Sequence, residues 1–383
     1  MYILAGDIGG TKAFLQLVYL DHSEIDEFEQ PSAQQLYFHC KTLCQQRLLC
    51  ANFHSLEALI LHFLKSIQEF PQDQSVDFAC LALPGPVDSD KVDLTNLPWQ
   101  VDKYKMMHTC QIEHLNFIND FYAAALGVPL VHSDEIIELY HGKRFEDLAD
   151  ITNPASYGNR LVVGAGTGLG VAPIVVVRNQ FIPQASEGGH FDFAPISPVQ
   201  QLILDWLWTK WPHVSYERLL SGSGLQWLYH FFKNHSVSNS YLFFDELEKY
   251  DSDIESIEKH LMGAAFANHQ VKAQHIDIDG GPSAAEISLL AEQNDEAAQQ
   301  ALIEFVTIYA AFIGASALLW RAPGGVFIAG GIAEKIQYWL KQPYFQQAFL
   351  HKGRMTELLE NTPVYLVADE ELGLKGALLH NFL

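Results

Sequence analysis

Two glycine-threonine turns carry the clearest chemistry in the chain. Asp7-Ile8-Gly9-Gly10-Thr11 lies between the strand-forming runs Tyr2-Ile3-Leu4-Ala5 and Phe14 to Leu20. Gly164-Ala165-Gly166-Thr167-Gly168-Leu169-Gly170 lies between Leu161-Val162-Val163 and a second run, Val171 with Ile174 to Val177. Glycine allows a tight turn whose N–H groups converge, and threonine adds a hydroxyl donor, so each turn can hold a phosphate. Two such turns predict a chain that closes on a nucleotide from both sides.

Neither turn fits a common nucleotide signature. No G-x-x-x-x-G-K-[ST] occurs, which excludes a P-loop. Leu169 stands where G-x-G-x-x-G requires its third glycine, and a strand rather than a helix follows. A dinucleotide dehydrogenase is therefore not expected.

Two acidic residues are candidates for further chemistry. Asp120 follows the apolar run Leu115 to Ile118, and a side chain at a strand end can project into a cleft as a general base. An Asp before Phe121-Tyr122-Ala123-Ala124 equally suits a helix N-cap, and the residues alone leave both readings open. Asp7, beside a phosphate-holding turn, suits Mg²⁺, which keeps much of its hydration shell and needs few carboxylates. It could also simply open the turn, as Asp before Gly often does.

Composition narrows the partners. The 383 residues, 49% hydrophobic and 18% charged, suffice for a sizeable core and two domains. A formal net charge of −23 argues against nucleic-acid and anionic-membrane surfaces, which need clustered Lys and Arg. Polyphosphate binding then requires local positive potential from backbone amides and a metal ion. Met1-Tyr2-Ile3-Leu4 carries no basic residue ahead of an apolar core, so no signal peptide is expected. Ala301 to Trp320 has the length of a membrane span, but Glu304 and frequent Ala, Gly and Ser favour a helix buried between neighbours. Five cysteines without paired spacing fit a reducing cytosol. His39, Cys40, Cys44, Cys50 and His54 lack a C-x-x-C knuckle, which favours a polar surface insertion over a zinc site.

Alternating elements must position these residues. Leu56, Leu59, Ile60, Phe63, Leu64 and Ile67 recur at helical spacing within Ser55 to Phe70. Asp77 to Leu83 reads as a buried strand stopped by Pro84-Gly85-Pro86, Leu115 to Ile118 as another, and Phe121 to Leu126 as a helix. Gly127-Val128-Pro129 is the expected crossing between domains. Further on, Pro198 to about Trp208 and Asp295 to Trp320 read as helices, Ser283-Ala284-Ala285-Glu286 as a capping box, and Val326 to Ala329 as a strand bracketed by glycine pairs. The rhythm is α/β.

A family resemblance now has its residues. Asp7 to Thr11, Gly164 to Gly170 and Gly324 to Gly331 resemble, in order, the two phosphate loops and the adenosine-binding strand-turn of the sugar kinase, actin and heat-shock chaperone superfamily. Asn119-Asp120-Phe121, Glu187-Gly188-Gly189-His190 and Ser215 to Gly222 resemble the bacterial glucokinase family. The resemblance runs from the first residue to the last helix. It implies a two-lobed ribonuclease-H-like (actin-like ATPase) fold, each lobe a mixed sheet flanked by helices, with the active site in the interlobe cleft. The expected division is a smaller α/β domain, 1–130 plus 369–383, and a larger one, 131–368.

The implied activity is transfer of the γ-phosphoryl of ATP to the 6-hydroxyl of D-glucose, the entry step of glycolysis, in the cytoplasm. Another hexose as acceptor, or a non-catalytic sugar sensor, are the alternatives. The resemblance implies that Asn119, Asp120, Glu187, His190 and Glu217 bind sugar, that Asp120 is the base, and that Thr95 and Asn96 line the sugar side. It assigns Asp7, Gly9, Gly10, Thr11, Gly164, Gly166, Thr167, Gly168, Gly330 and Gly331 to the nucleotide, Asp7 to Mg²⁺, and the chain to a homodimer. Taken alone, His190 is one of 17 histidines, and Glu217 reads as an early-turn acid on a helix capped by Ser215. Lys12 departs from the family, in which Asn usually follows Gly-Gly-Thr. Gly-Gly-Thr-Lys is frequent in a related repressor and kinase family, whose cysteine-rich zinc motif and N-terminal helix-turn-helix are missing here. The polar stretches at 30–53 and 235–280 read as insertions.

Overall fold

The computed structural model describes residues 1–21, 32–71, 73–87, 89–94, 97–143, 158–178, 180–235 and 281–383. The expected insertion at 235–280 lies almost wholly outside them, as do Thr95 and Asn96. The described residues build two sheets on one plan. The first runs β3-β2-β1-β4-β7, from β1 (Tyr2–Ile8), β2 (Lys12–Tyr19), β3 (Lys41–Leu49), β4 (Val76–Leu83) and β7 (Ile112–Asn119). Between β4 and β7 in sequence, β5 (Lys91–Asp93) and β6 (Gln100–Asp102) pair only with each other. The second sheet runs β11-β10-β9-β12-β13-β8, from β8 (Ile136–Tyr140), β9 (Arg160–Ala165), β10 (Leu169–Val177), β11 (Gln180–Pro183), β12 (Val326–Ala329) and β13 (Val364–Val367).

The repetition is register-deep. In each sheet three consecutive strands meander antiparallel, and two later strands add in parallel beside the first of the three. The first glycine-threonine turn joins β1 to β2, closed by Gly9 N donating to Lys12 O at 2.9 Å. The second joins β9 to β10 at the equivalent place, closed by Gly166 N donating to Gly168 O at 2.8 Å. Their strands are buried runs of Val, Ile and Leu, as parallel neighbours covered on both faces require.

One expectation is corrected here. The stretch at 30–53 is not a surface insertion: Lys41–Leu49 pairs antiparallel along the whole of β2, and Ala33–His39 is a helix opened by a Ser32–Gln35 capping box. Its polar composition follows from its place at the sheet edge, where no β3 residue is fully buried. Cys40, Cys44 and Cys50 are spread along this element, and among the described residues no three His, Cys, Asp or Glu side chains converge on a metal position.

The helices follow their sequence signals closely. α1 (Leu56–Ser66) starts where Ser55 accepts from Ala58 N at 3.2 Å and buries Leu56, Leu59, Ile60, Phe63 and Leu64 on the first sheet. α2 (Asp120–Gly127) follows β7 directly. α3 (Pro198–Trp208) opens with Ser197 and a proline in its first turn, and α4 (Gly222–Asn234) opens with Ser221. α5 (Glu296–Trp320) is capped by Asp295 and ends at Arg321 in the left-handed region. It is the only helix among the described residues long and apolar enough to cross a membrane, yet its most apolar stretch is 78% buried, against α4 and the helix Pro343–Leu350. Glu304 at its centre accepts from Gln200 Nε2 at 2.8 Å, so the carboxylate that interrupts the apolar run is satisfied inside the core.

The last helix, α6 (Leu372–His380), returns to the first sheet, packing on β1, β4 and α2. A Cβ at Gly376 would lie 1.7 Å from Ala123 O, and one at Gly127 2.3 Å from Leu372 O, so α2 and α6 meet backbone to backbone. On its other side α2 touches β9, β10 and β11. The α2–α6 pair therefore lies between the two sheets, and any shift in it changes how they face one another.

Candidate active site

The carboxyl ends of strands from both sheets meet around a cavity of about 410 Å³. Ligands of open α/β sheets bind beyond such strand ends. Asp7 comes from the end of β1, Gly9 and Lys12 from the first turn and the start of β2, and Asp120 with Phe121 from the start of α2. The opposite wall is Ala329, Gly330 and Gly331 at the end of β12, and Asp369 and Glu370, just after β13, reach across to the first sheet, where Glu370 meets Arg47. Gly330 has φ +94°, a conformation that favours glycine, and a Cβ there would also press on Ala165 O at 2.9 Å.

Of the two readings open for Asp120, the N-cap falls to its neighbour. Asn119, not Asp120, is the N-cap: its Oδ1 accepts from Phe121 N at 2.9 Å and Tyr122 N at 3.1 Å, while Nδ2 donates to Gly85 O at 3.2 Å. The Asn119 amide also bears on the Asp120 carboxylate, lowering its pKa slightly. Asp120 is then the first helical residue, with Oδ1 accepting from Phe121 N at 2.8 Å. Burial pushes its carboxyl up to about 6; the Phe121 N–H pulls it down in part, and the nearby Glu187 charge raises it. Asp7 is pushed up to about 7, by burial first and by the Asp120 charge second. A pair of half-buried carboxylates raised in this way favours the approach of protons or cations.

A second polar cluster adjoins this wall. Glu187 precedes the short 3-10 turn Gly188–His190, and Glu217 lies in the 3-10 turn Tyr216–Arg218. His190 Nε2 is 3.8 Å from Glu187 Oε2, and its Nδ1 is 4.0 Å from Glu217 Oε1. Glu217 Oε2 accepts from Leu169 N at 3.0 Å, and a Cβ at Gly168 would lie 2.6 Å from that oxygen. The helix expected to be capped by Ser215 is this single turn, and Ser215 makes no side-chain cap in it. Its backbone instead bridges to Asp192, which fixes the turn against the Glu187 loop. Gly189 permits the approach, since a Cβ there would meet Leu169 O at 2.0 Å.

The expected nucleotide residues thus fall into two groups. Gly9, Gly330, Gly331 and Asp7 line the cavity, with Gly10 and Thr11 beside Gly9 in the same hairpin loop. Gly166 is tied by its carbonyl to Gly222 N at 2.9 Å, which docks the second turn on the start of α4, and Thr167 stands exposed at its tip. Gly168 abuts Glu217, joining the turn to the second cluster. Gly164 has a packing duty: it faces Gly170 across the β9–β10 ladder, and Cβ atoms there would strike the Phe121 ring at 2.7 and 1.9 Å. The ring of the residue after Asp120 is therefore seated in a slot cut by two glycines.

Several cavity residues escape the motifs. Arg47 comes from the edge strand misread as an insertion; it pairs with Glu370 and lies over the Phe14 ring at 4.5 Å. Asp369 pairs with Lys375 at 2.8 Å, and Gly373 leaves room for Asp7, whose Oδ2 would be 2.6 Å from a Cβ. Glu334 follows Gly331 in a short helix. The available signal was positional: Asp369 and Glu370 follow the strand Val364–Val367 as Asp120 follows β7.

The chain matches known proteins over almost its whole length. Residues 4–381 match the family described as Glucokinase. The chain is 32% identical over 377 residues to the glucokinase of Colwellia psychrerythraea, covering 98% of this chain and 94% of that one. It is 32% identical over 380 residues to the glucokinase of Nostoc punctiforme, covering 98% of each. Among solved structures, a glucokinase from an Antarctic psychrotroph superposes with TM-score 0.70 at 27% identity, covering 99% of this chain and 98% of that one. A glucokinase from Balamuthia mandrillaris shares the fold at TM-score 0.69 and 19% identity, covering 99% and 93%. With its two-lobed, ribonuclease-H-like architecture and a match over almost its whole length, the chain belongs to the glucokinase family.

Proposed function

We propose that this glucokinase-family chain transfers the γ-phosphoryl of ATP to the 6-hydroxyl of D-glucose, with Asp120 as the general base. The observation that carries the assignment of the base is its position. Asp120 is a half-buried carboxylate directly after β7, raised to about 6, on one wall with Asp7 and opposite Gly330 and Gly331. A base poised near neutrality both exists as carboxylate and retains a useful affinity for the hydroxyl proton. The donor then lies between the first turn and Gly330–Gly331, and the sugar between Asp120, Asn119, Glu187, His190 and Glu217.

Each sugar-side group has a defined capacity. Glu187 accepts, and His190 sits between two carboxylates that can fix its ring. Glu217 uses one oxygen on Leu169 N and keeps the other for a hydroxyl. Because Leu169 N belongs to the second turn, sugar and phosphate contacts are mechanically linked through this one carboxylate. Thr95 and Asn96 remain assigned to the sugar side by family resemblance alone.

The donor set also fits Mg²⁺. Asp7 and Asp120 are two half-buried carboxylates raised by desolvation and by neighbouring carboxylate charge, and no third ligand converges among the described residues, which suits an ion that keeps its waters and binds phosphates. Asp7 is the residue that would hold it, and the ion supplies neutralisation of the transferred phosphoryl charge. We further assign 1–130 with 369–383 to the smaller lobe and 131–368 to the larger, and propose a cytoplasmic homodimer; all five cysteines are free. The test is a coupled assay of the purified protein with ATP, Mg²⁺ and a panel of hexoses. Glucose-dependent ADP release is expected, and its absence across the panel refutes the kinase reading.

A further inference from the structure

The cavity poses an electrostatic problem. Its walls carry five acidic residues, Asp7, Asp120, Glu334, Asp369 and Glu370, against two basic ones, Lys12 and Arg47. A nucleotide polyphosphate must enter this field in a chain whose net charge is already −23. Arg47 is committed to Glu370 and lies over Phe14, and its strand neighbour Gln45 donates to Glu371 Oε1 at 2.8 Å. The ammonium of Lys12 has no ion-pair or hydrogen-bond partner among the described residues. Its backbone carbonyl closes the first turn, accepting from Gly9 N, so its Cα is fixed at the turn.

Strand parity fixes where the side chain belongs. Lys12 and Phe14 are two residues apart on β2 and so share a face, and Phe14 pairs in register with Arg47 on β3. All three line the cavity, with Lys12 exposed at its rim beside Gly9. Resting on the kinase reading above, we propose that Lys12 is the protein's own cationic contact to the polyphosphate chain of the donor nucleotide. A lysine serves phosphate as a point charge on a flexible stem, so no fixed bidentate geometry is required. The consequence is specificity for the charge of the donor rather than for its base.

The test compares the unsubstituted protein with Lys12→Met, Lys12→Asn and Lys12→Arg. With Lys12→Met, KM for ATP and the inhibition constant for ADP are expected to rise on the order of tenfold or more, the scale of a charge-assisted hydrogen bond. Lys12→Asn is expected to behave similarly and Lys12→Arg to restore most of the loss. Inhibition by adenosine, which has no phosphate, and KM for glucose are expected to stay unchanged. Added salt should weaken ADP binding more in the unsubstituted protein than in Lys12→Met, because the lost charge is the screened one. Unchanged ATP and ADP constants in Lys12→Met overturn the proposal. So does an equal loss for adenosine, or a change confined to glucose. ADP binding measured by calorimetry applies the same test without turnover, so failure of the kinase reading and failure of the Lys12 assignment are told apart.

Discussion

Gly170→Ala tests whether the slot that seats Phe121 positions the base. The added Cβ would stand 1.9 Å from Phe121 Cδ2 and 2.2 Å from its Cγ. The clash reaches the root of the ring, so rotation about the ring axis does not relieve it. Retreat along the sheet is closed as well, because Gly164 already approaches Phe121 Cζ so that a Cβ there would be 2.7 Å away. Relief requires the start of α2 to move outward by an ångström or more, carrying Asp120, one residue before Phe121. Overpacking of this kind costs about 1–3 kcal/mol of stability. A displacement near 1 Å at a reacting group costs about 10²-fold in rate. Steady-state kcat and thermal melting of Gly170→Ala should show both losses. The double variant Gly170→Ala with Phe121→Leu, which makes room for the methyl, should recover part of kcat. Normal kcat in Gly170→Ala refutes the claim that the slot positions Asp120. A double variant no better than the single would place the fault elsewhere in the β9–β10 hairpin.

Three further outcomes follow from the same geometry. Asp120 is raised above the ordinary carboxylate value and must be ionised to act as base, so kcat/KM for glucose should fall as pH drops through about 6, along a single acid limb; a flat profile between pH 5 and 7 contradicts the assignment. The folded-state values of Asp7 and Asp120 lie above their unfolded ones, so their contribution to stability is present in acid and is lost as pH rises through about 6 to 7; a melting series on the free protein should show Asp7→Asn flattening that decline. Glu217→Gln keeps an oxygen for Leu169 N but loses the charge beside His190, so it should raise KM for glucose by about tenfold while the melting temperature holds, whereas Glu217→Ala should lower both affinity and stability because Leu169 N is left without its acceptor.

The sequence made visible whatever depends on local chemistry. The glycine turns and the Ser283–Glu286 capping box stand where their residue types require, because each is decided within a few residues. The polar edge strand β3 was illegible for a physical reason: a strand exposed on one side and at its margin loses the apolar alternation by which strands are read. Arg47 was lost with it. The exchange of duties between Asn119 and Asp120 turns on which residue has extended backbone and which helical, a one-residue matter that composition does not decide. Gly164 shows the reverse: a glycine read as a phosphate contact has its tightest neighbours in Phe121 and Ala329. Glu217 could be chosen only by family resemblance, since its partner Leu169 lies 48 residues away.

The central claim is that Asp120 accepts the proton of the sugar hydroxyl, and Asp120→Asn addresses it most directly. The amide keeps an oxygen for Phe121 N and so leaves the start of α2 in place. Turnover with ATP, Mg²⁺ and glucose should fall by about 10²–10⁴-fold, the contribution of a positioned base, while glucose affinity measured by calorimetry stays within a few fold. Near-normal turnover in Asp120→Asn, with glucose binding intact, would contradict the account.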